Sequence, residues 1–87
     1  MLRNSAQYRN LFVPLLRELR LSKKITQTEL AARLKVPQSY VSKYETGERR
    51  LDFVETAYVC DALGITIEQF ARAFSEKVGQ TRRERAR

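Results

Sequence analysis

The stretch Thr26-Gln27-Thr28-Glu29-Leu30-Ala31-Ala32-Arg33-Leu34-Lys35-Val36-Pro37-Gln38-Ser39-Tyr40-Val41-Ser42-Lys43-Tyr44-Glu45 reads as two short helices joined by a tight turn. Thr26 followed three residues later by Glu29 is a capping box: the hydroxyl accepts from the backbone N–H of Glu29, and the carboxylate reaches back to the N–H of Thr26. Leu30, Ala31 and Leu34 then face inward at helical spacing. The turn falls at Lys35-Val36, with Val36 filling the gap between the two helices. Pro37 suits the first positions of the second helix, where a missing N–H costs nothing. In that helix Val41 and Tyr44 form the buried edge, which leaves Gln38, Ser39, Ser42 and Lys43 for the outer face.

Working outward, the spacing predicts three more helices. Upstream, Val13, Leu16, Leu19 and Arg20 step by three and four, with Leu15 on the same broad face. A helix is expected from about Ser5 to about Ser22, with a disturbance near Pro14. Downstream, Gly47 closes the helix of Tyr44 and Glu45, and the loop Glu48-Arg49-Arg50 follows. Asp52 is placed to cap a fourth helix whose expected inner face is Phe53, Thr56, Val59, Cys60 and Leu63, with Gly64 at its end. Thr66 and Gln69 repeat the capping-box spacing and open a fifth helix through Phe70 and Phe74. From Gly79 the sequence turns polar and arginine-rich without apolar periodicity, so residues 79–87 are expected to be a disordered basic tail behind one domain at 1–78. Two prolines and three glycines in 87 residues point the same way: an all-α, compact bundle of about five short helices.

Composition narrows the function classes. The chain has 43% hydrophobic residues, enough for one small core. No apolar run approaches the ~18–20 residues a bilayer requires. Arg3 and Arg9 stand near the N-terminus without a long apolar stretch and cleavage site, so the cytoplasm is the expected compartment. Cys60 is the single cysteine and histidine is absent. No internal disulfide and no structural zinc site are therefore expected, and the commonest general base is missing. No cofactor or metal is expected, and an enzyme is the weakest of the functional classes. The formal net charge of +7 favours a polyanionic partner, of which nucleic acid is the most common.

Residues from Leu16 to Phe70 closely resemble the phage repressor and Cro class of helix-turn-helix domains, the Xre family. The resemblance is carried by Leu19-Arg20, by Ile25-Thr26-Gln27-Thr28-Glu29-Leu30-Ala31, by the run from Pro37 to Glu45, by Gly47-Glu48-Arg49-Arg50-Leu51 and by Ala62-Leu63-Gly64. It covers roughly two-thirds of the chain. Lys35 departs from the pattern, since the family more often has a glycine in that turn.

The resemblance implies a lambda repressor-like DNA-binding domain that lays its third helix in the major groove of double-stranded DNA. Gln38 and Ser39, the first exposed positions of that helix, are then the expected base readers. The glutamine amide offers a donor and an acceptor that fit adenine N6 and N7. Lys43 stands about one and a half turns further on and reaches either guanine or a phosphate. Gln27, in the first turn of the preceding helix, is expected against the DNA backbone, where free N–H groups favour a phosphate. Arg49 and Arg50 are expected to neutralise phosphate from their loop. Tyr40 is open between packing across the motif, touching a thymine methyl and giving its hydroxyl to a phosphate. Arg20 and Glu45 are expected to form a structural ion pair between the first and third helices, as family members commonly do.

One such domain reads only a few base pairs, so a homodimer on palindromic half-sites is expected, through the fifth helix and the 63–67 loop. The expected function is a transcriptional regulator, with repression favoured. The competing reading is a protein-interaction module on the same scaffold, such as an antitoxin-like subunit that binds a partner chain. The bland account of Gln38, Ser39, Lys43, Arg49 and Arg50 is a solvated polar surface, and of Cys60, Phe70 and Phe74 simple packing.

Overall fold

The structure is a computed structural model that describes residues 5–85, with side chains from Gln7 to Glu84. It is all-α: α1 spans Ser5–Ser22, α2 Gln27–Leu34, α3 Gln38–Glu45, α4 Phe53–Leu63 and α5 Ile67–Arg85. Three helix starts are fixed by reciprocal caps. Thr26 Oγ1 accepts from Glu29 N at 3.0 Å while Glu29 Oε1 accepts from Thr26 N at 3.1 Å. Asp52 and Glu55 repeat this at α4, at 2.7 and 3.0 Å, and Thr66 and Gln69 at α5, at 3.0 and 2.9 Å. Each box satisfies two backbone groups that a helix end leaves open.

Between α2 and α3 the chain reverses through Lys35, which adopts the left-handed conformation at φ 59°, ψ 44°. Its N–H and that of Val36 return to carbonyls of α2, at 3.2 Å to Ala32 and 3.0 Å to Ala31. The family's usual glycine would reach this conformation without the Cβ penalty. α1 runs through Pro14 as one helix, so the expected disturbance does not divide it.

Leu15 and Leu16 of α1, Leu30 and Ala31 of α2, Val41 and Tyr44 of α3, Val59, Cys60 and Leu63 of α4 and Phe70 of α5 form one core, with Ile25 between the first two helices. Thr56 is buried with them, but Phe53 is 74% exposed, contrary to its expected place on the inner face of α4. Phe53 is the first residue of that helix, and the buried stripe begins only at Thr56. An apolar residue at helical spacing stays in solvent when the packed layer ends before it.

The second correction concerns the C-terminus. α5 continues through Gly79 to Arg85, so residues 79–85 are helical rather than disordered; residues 86 and 87, and Arg3, lie outside the described residues. The sequence lacks an apolar stripe there, but α1 supplies other anchors. Phe12 meets Phe70 edge-on at 5.6 Å and Tyr8 meets Phe74 at 5.9 Å. Past Gly79, Thr81 Oγ1 donates back to the Lys77 carbonyl at 3.1 Å and Arg82 Nη2 donates to the Tyr8 hydroxyl at 2.9 Å. Extending a formed helix requires no new nucleation.

Candidate nucleic-acid interface

α3 has two faces of opposite character. Val41 and Tyr44 are fully buried, while Gln38, Ser39 and Lys43 are exposed. Ser39 and Lys43 stand four residues apart and so share a face. Gln38 begins the helix and turns toward α2: its Nε2 donates to Gln27 Oε1 at 3.3 Å. The first turns of α2 and α3 therefore lie side by side, with an amide from each at the surface.

Behind these amides sits a fixed charge. Arg20 of α1 donates from Nε to Glu45 Oε2 at 2.7 Å and from Nη2 to Glu45 Oε1 at 2.9 Å. Its Nη1 donates to the Ile25 carbonyl at 2.8 Å. Only 6% of the Arg20 side chain and 3% of the Glu45 side chain are exposed. The bond to Glu45 raises Arg20 further above the ordinary arginine range. Gln27 Nε2 also donates to Glu45 Oε1, at 3.0 Å. A continuous chain of hydrogen bonds thus runs from Arg20 through Glu45 and Gln27 to Gln38 at the surface. Glu45 is turned away from the outer face, and its charge is matched inside the fold.

Tyr40, in the first turn of α3, joins a second cluster with Arg49 of the following loop and Glu55 of α4. The Tyr40 hydroxyl donates to Glu55 Oε2 at 2.9 Å, and the Arg49 guanidinium lies over the Tyr40 ring, 4.5 Å from its centroid. Arg49 Nη2 donates to the same Glu55 oxygen at 2.8 Å. The Asp52 backbone N–H, followed by Arg49 and Tyr40, lowers the Glu55 carboxyl to about 2. Burial and the bond to Glu55 raise the Tyr40 hydroxyl. Arg50, next in the loop, is exposed.

Among the residues expected from the sequence, Gln27 and Gln38 come together at the start of α3, and Tyr40, in the same first turn, meets Arg49 of the following loop. Glu55 was not anticipated. The sequence marks Asp52 as the α4 cap, but the bonds of Glu55 to Tyr40 and Arg49 join α4 to the first turn of α3 and to the loop between them, which no local spacing encodes. Among the described residues no His, Cys, Asp or Glu cluster is grouped to hold a metal ion, and no helix is long and apolar enough to cross a membrane. Cys60 is buried in the core, and burial pushes its thiol up to about 11.

A helix-turn-helix family profile matches residues 16–54. No protein with a curated description matches the chain. Among solved structures, the chain is similar to an XRE-family like protein from Pseudomonas syringae pv. tomato, at 43% identity over 83% of this chain and 87% of that one, with a TM-score of 0.74. The clp gene regulator ClgR from Corynebacterium glutamicum is 28% identical over 80% of this chain and 91% of its own, with a TM-score of 0.70. The restriction-modification controller protein C.Esp1396I shares the fold at 19% identity, with 84% of this chain and 95% of that one covered and a TM-score of 0.77. The turn between α2 and α3, the exposed polar face of α3 and these similarities together establish that the chain belongs to the Xre family of Cro/C1-type helix-turn-helix proteins and has the fold of its transcription regulators.

Proposed function

We propose that this protein is a sequence-specific regulator of transcription, acting as a repressor, that inserts α3 into the major groove of double-stranded DNA. Gln38, Ser39 and Lys43 read base edges. Gln27, Tyr40, Arg49 and Arg50 hold the phosphate backbone. The observation that carries this reading is the exposure of Gln38, Ser39 and Lys43 on a helix whose opposite edge, Val41 and Tyr44, is fully buried. That layout leaves a rigid polar rod on the surface, as major-groove recognition requires. The net charge of +7 adds the sequence-independent attraction that draws such a rod to DNA.

The protein acts in the cytoplasm as a homodimer on palindromic sites, with half-sites about one helical turn apart. Dimer contacts through α5 and the 63–67 loop are tested by sedimentation with and without DNA: a monomer in both would remove the claim. No catalytic step and no cofactor enters the mechanism.

A second reading, a protein-interaction module with an antitoxin-like partner, is favoured by one feature. Phe53, Val54 and Tyr58 of α4 are 74%, 61% and 65% exposed, an apolar patch of the kind that marks interaction surfaces. In vitro selection of randomised duplex DNA, with the native chain and with Gln38→Ala, separates the two. A palindromic consensus that loses one base preference in the variant supports the regulator. No enrichment with either protein gives precedence to the interaction module.

A further inference from the structure

Arg49 belongs to a surface loop, and 46% of its side chain is exposed. A free arginine there would carry wide rotamer freedom, all of it surrendered when a phosphate binds. Two side-chain contacts restrict that freedom beforehand, and a backbone bond anchors the loop that carries it. The Arg49 backbone N–H donates to the Lys43 carbonyl at 3.1 Å and ties the loop to α3. Its guanidinium lies over the Tyr40 ring, at 4.5 Å. Its Nη2 donates to Glu55 Oε2 at 2.8 Å.

Both carboxylate oxygens of Glu55 are engaged. Its Oε1 accepts the Asp52 N–H at 3.0 Å as half of the α4 capping box, and its Oε2 accepts the Tyr40 hydroxyl as well as Arg49. A carboxylate beside a DNA-binding face is ordinarily repulsive, so its presence here calls for a compensating role. The salt bridge occupies one of the five guanidinium N–H donors, and the others remain for the two-point contact that arginine makes with phosphate.

We propose that Glu55 is a positioning residue for DNA contact: from the start of α4 its carboxylate holds Arg49 against Tyr40 in the first turn of α3, so that the arginine meets a phosphate already ordered. This inference rests on the reading of α3 as the helix that enters DNA. It extends that reading to a residue that does not itself touch DNA.

The sign of one substitution tests it. Glu55→Gln preserves the capping box, which accepts glutamine at this position, and removes one negative charge. Electrostatics alone makes the variant bind DNA more tightly. Positioning makes it bind more weakly, by about three- to tenfold, the loss expected when one arginine must be ordered on binding.

Binding to a labelled random-sequence duplex suffices, because phosphate contact is independent of sequence. Four proteins are compared across a salt series: the native chain, Glu55→Gln, Arg49→Ala and the double variant. Arg49→Ala is expected to weaken binding and to lower the salt slope by about 0.9, the value of one phosphate contact. Glu55→Gln is expected to weaken binding with the slope nearly kept. The double variant is expected to bind no more weakly than Arg49→Ala.

Unchanged or tighter binding by Glu55→Gln overturns the proposal, as does an equal further loss in the Arg49→Ala background. Native affinity in Arg49→Ala instead removes the phosphate role of Arg49, a failure of the underlying reading that is distinct from a failure at Glu55 alone. Arg49→Lys keeps the charge but not the planar fork, so it tests the same claim without altering the α4 cap. Native affinity in that variant also counts against positioning.

Discussion

Arg20 and Glu45 meet at two points, 2.7 and 2.9 Å apart, with side chains almost wholly withdrawn from solvent. α1 and the end of α3 are thereby joined by a charge pair whose partners depend on each other. Truncating one partner of a buried pair leaves the other uncompensated, which is far more destabilising than the net worth of the pair. Glu45→Ala is therefore expected to lower stability by about 3 kcal/mol, or roughly 15 °C in melting temperature for a domain of this size. Arg17 approaches the same carboxylate at only 4.0 Å and is 61% exposed, so Arg17→Ala is expected to cost less than about 1 kcal/mol. Thermal melts of the two variants check the contrast. Equal melting temperatures would remove the structural role of Glu45.

Gln27 links this buried pair to the surface, since it donates to Glu45 and accepts from Gln38. Residues in one hydrogen-bond network lose energy non-additively. Gln27→Ala and Gln38→Ala are each expected to weaken binding to a selected operator, and the double variant to lose less than the sum, by about 1 kcal/mol. Strict additivity would mean that the two glutamines act on DNA independently.

Much of this arrangement was legible before the structure. Two capping boxes stand in the sequence as Thr26/Glu29 and Thr66/Gln69, and Asp52 as the cap of α4, because a cap is a local device read from spacing alone; the reciprocal half of the third box, Glu55, came only with the structure. The split of α3 into a buried and an exposed edge was legible for the same reason. What was not legible depends on where elements end relative to one another. Phe53 keeps helical spacing with the core but lies beyond its last layer. The helix past Gly79 is anchored by Tyr8, far away in sequence. Glu55 joins Tyr40 and Arg49 across α4, the first turn of α3 and the loop between them, a meeting that no local spacing encodes.

Lys24 and Lys35 have φ of 57° and 59°, values at which a Cβ crowds the following carbonyl. Lys35 closes the turn between α2 and α3. Glycine there relieves a strain of roughly 1–2 kcal/mol but gives up about 0.5–1 kcal/mol in chain entropy. Lys35→Gly is thus expected to stabilise the fold by about 0.5–1 kcal/mol, seen as a higher urea midpoint at unchanged slope. A lower midpoint would show that the lysine stem contributes more by packing than its backbone costs.

Glu55 also sets an acid dependence. Its carboxyl falls from an ordinary 4.5 to about 2, chiefly through the Asp52 N–H and then through Arg49 and Tyr40. A group whose folded value lies below its unfolded value favours the folded state while ionised. Its contribution is complete above about 4.5 and disappears as pH falls through that value toward 2. Glu55→Gln cannot titrate, so its stability should vary less with pH in that window. The Glu29 carboxyl, lowered by the Thr26 cap, remains in both proteins and cancels in the comparison. Urea unfolding at a series of pH values measures the difference. The native chain is expected to be the more stable near neutrality, with its advantage shrinking as pH drops below about 4.5. An advantage that stays constant into strong acid would mean that the three donors do not favour the ionised form of Glu55.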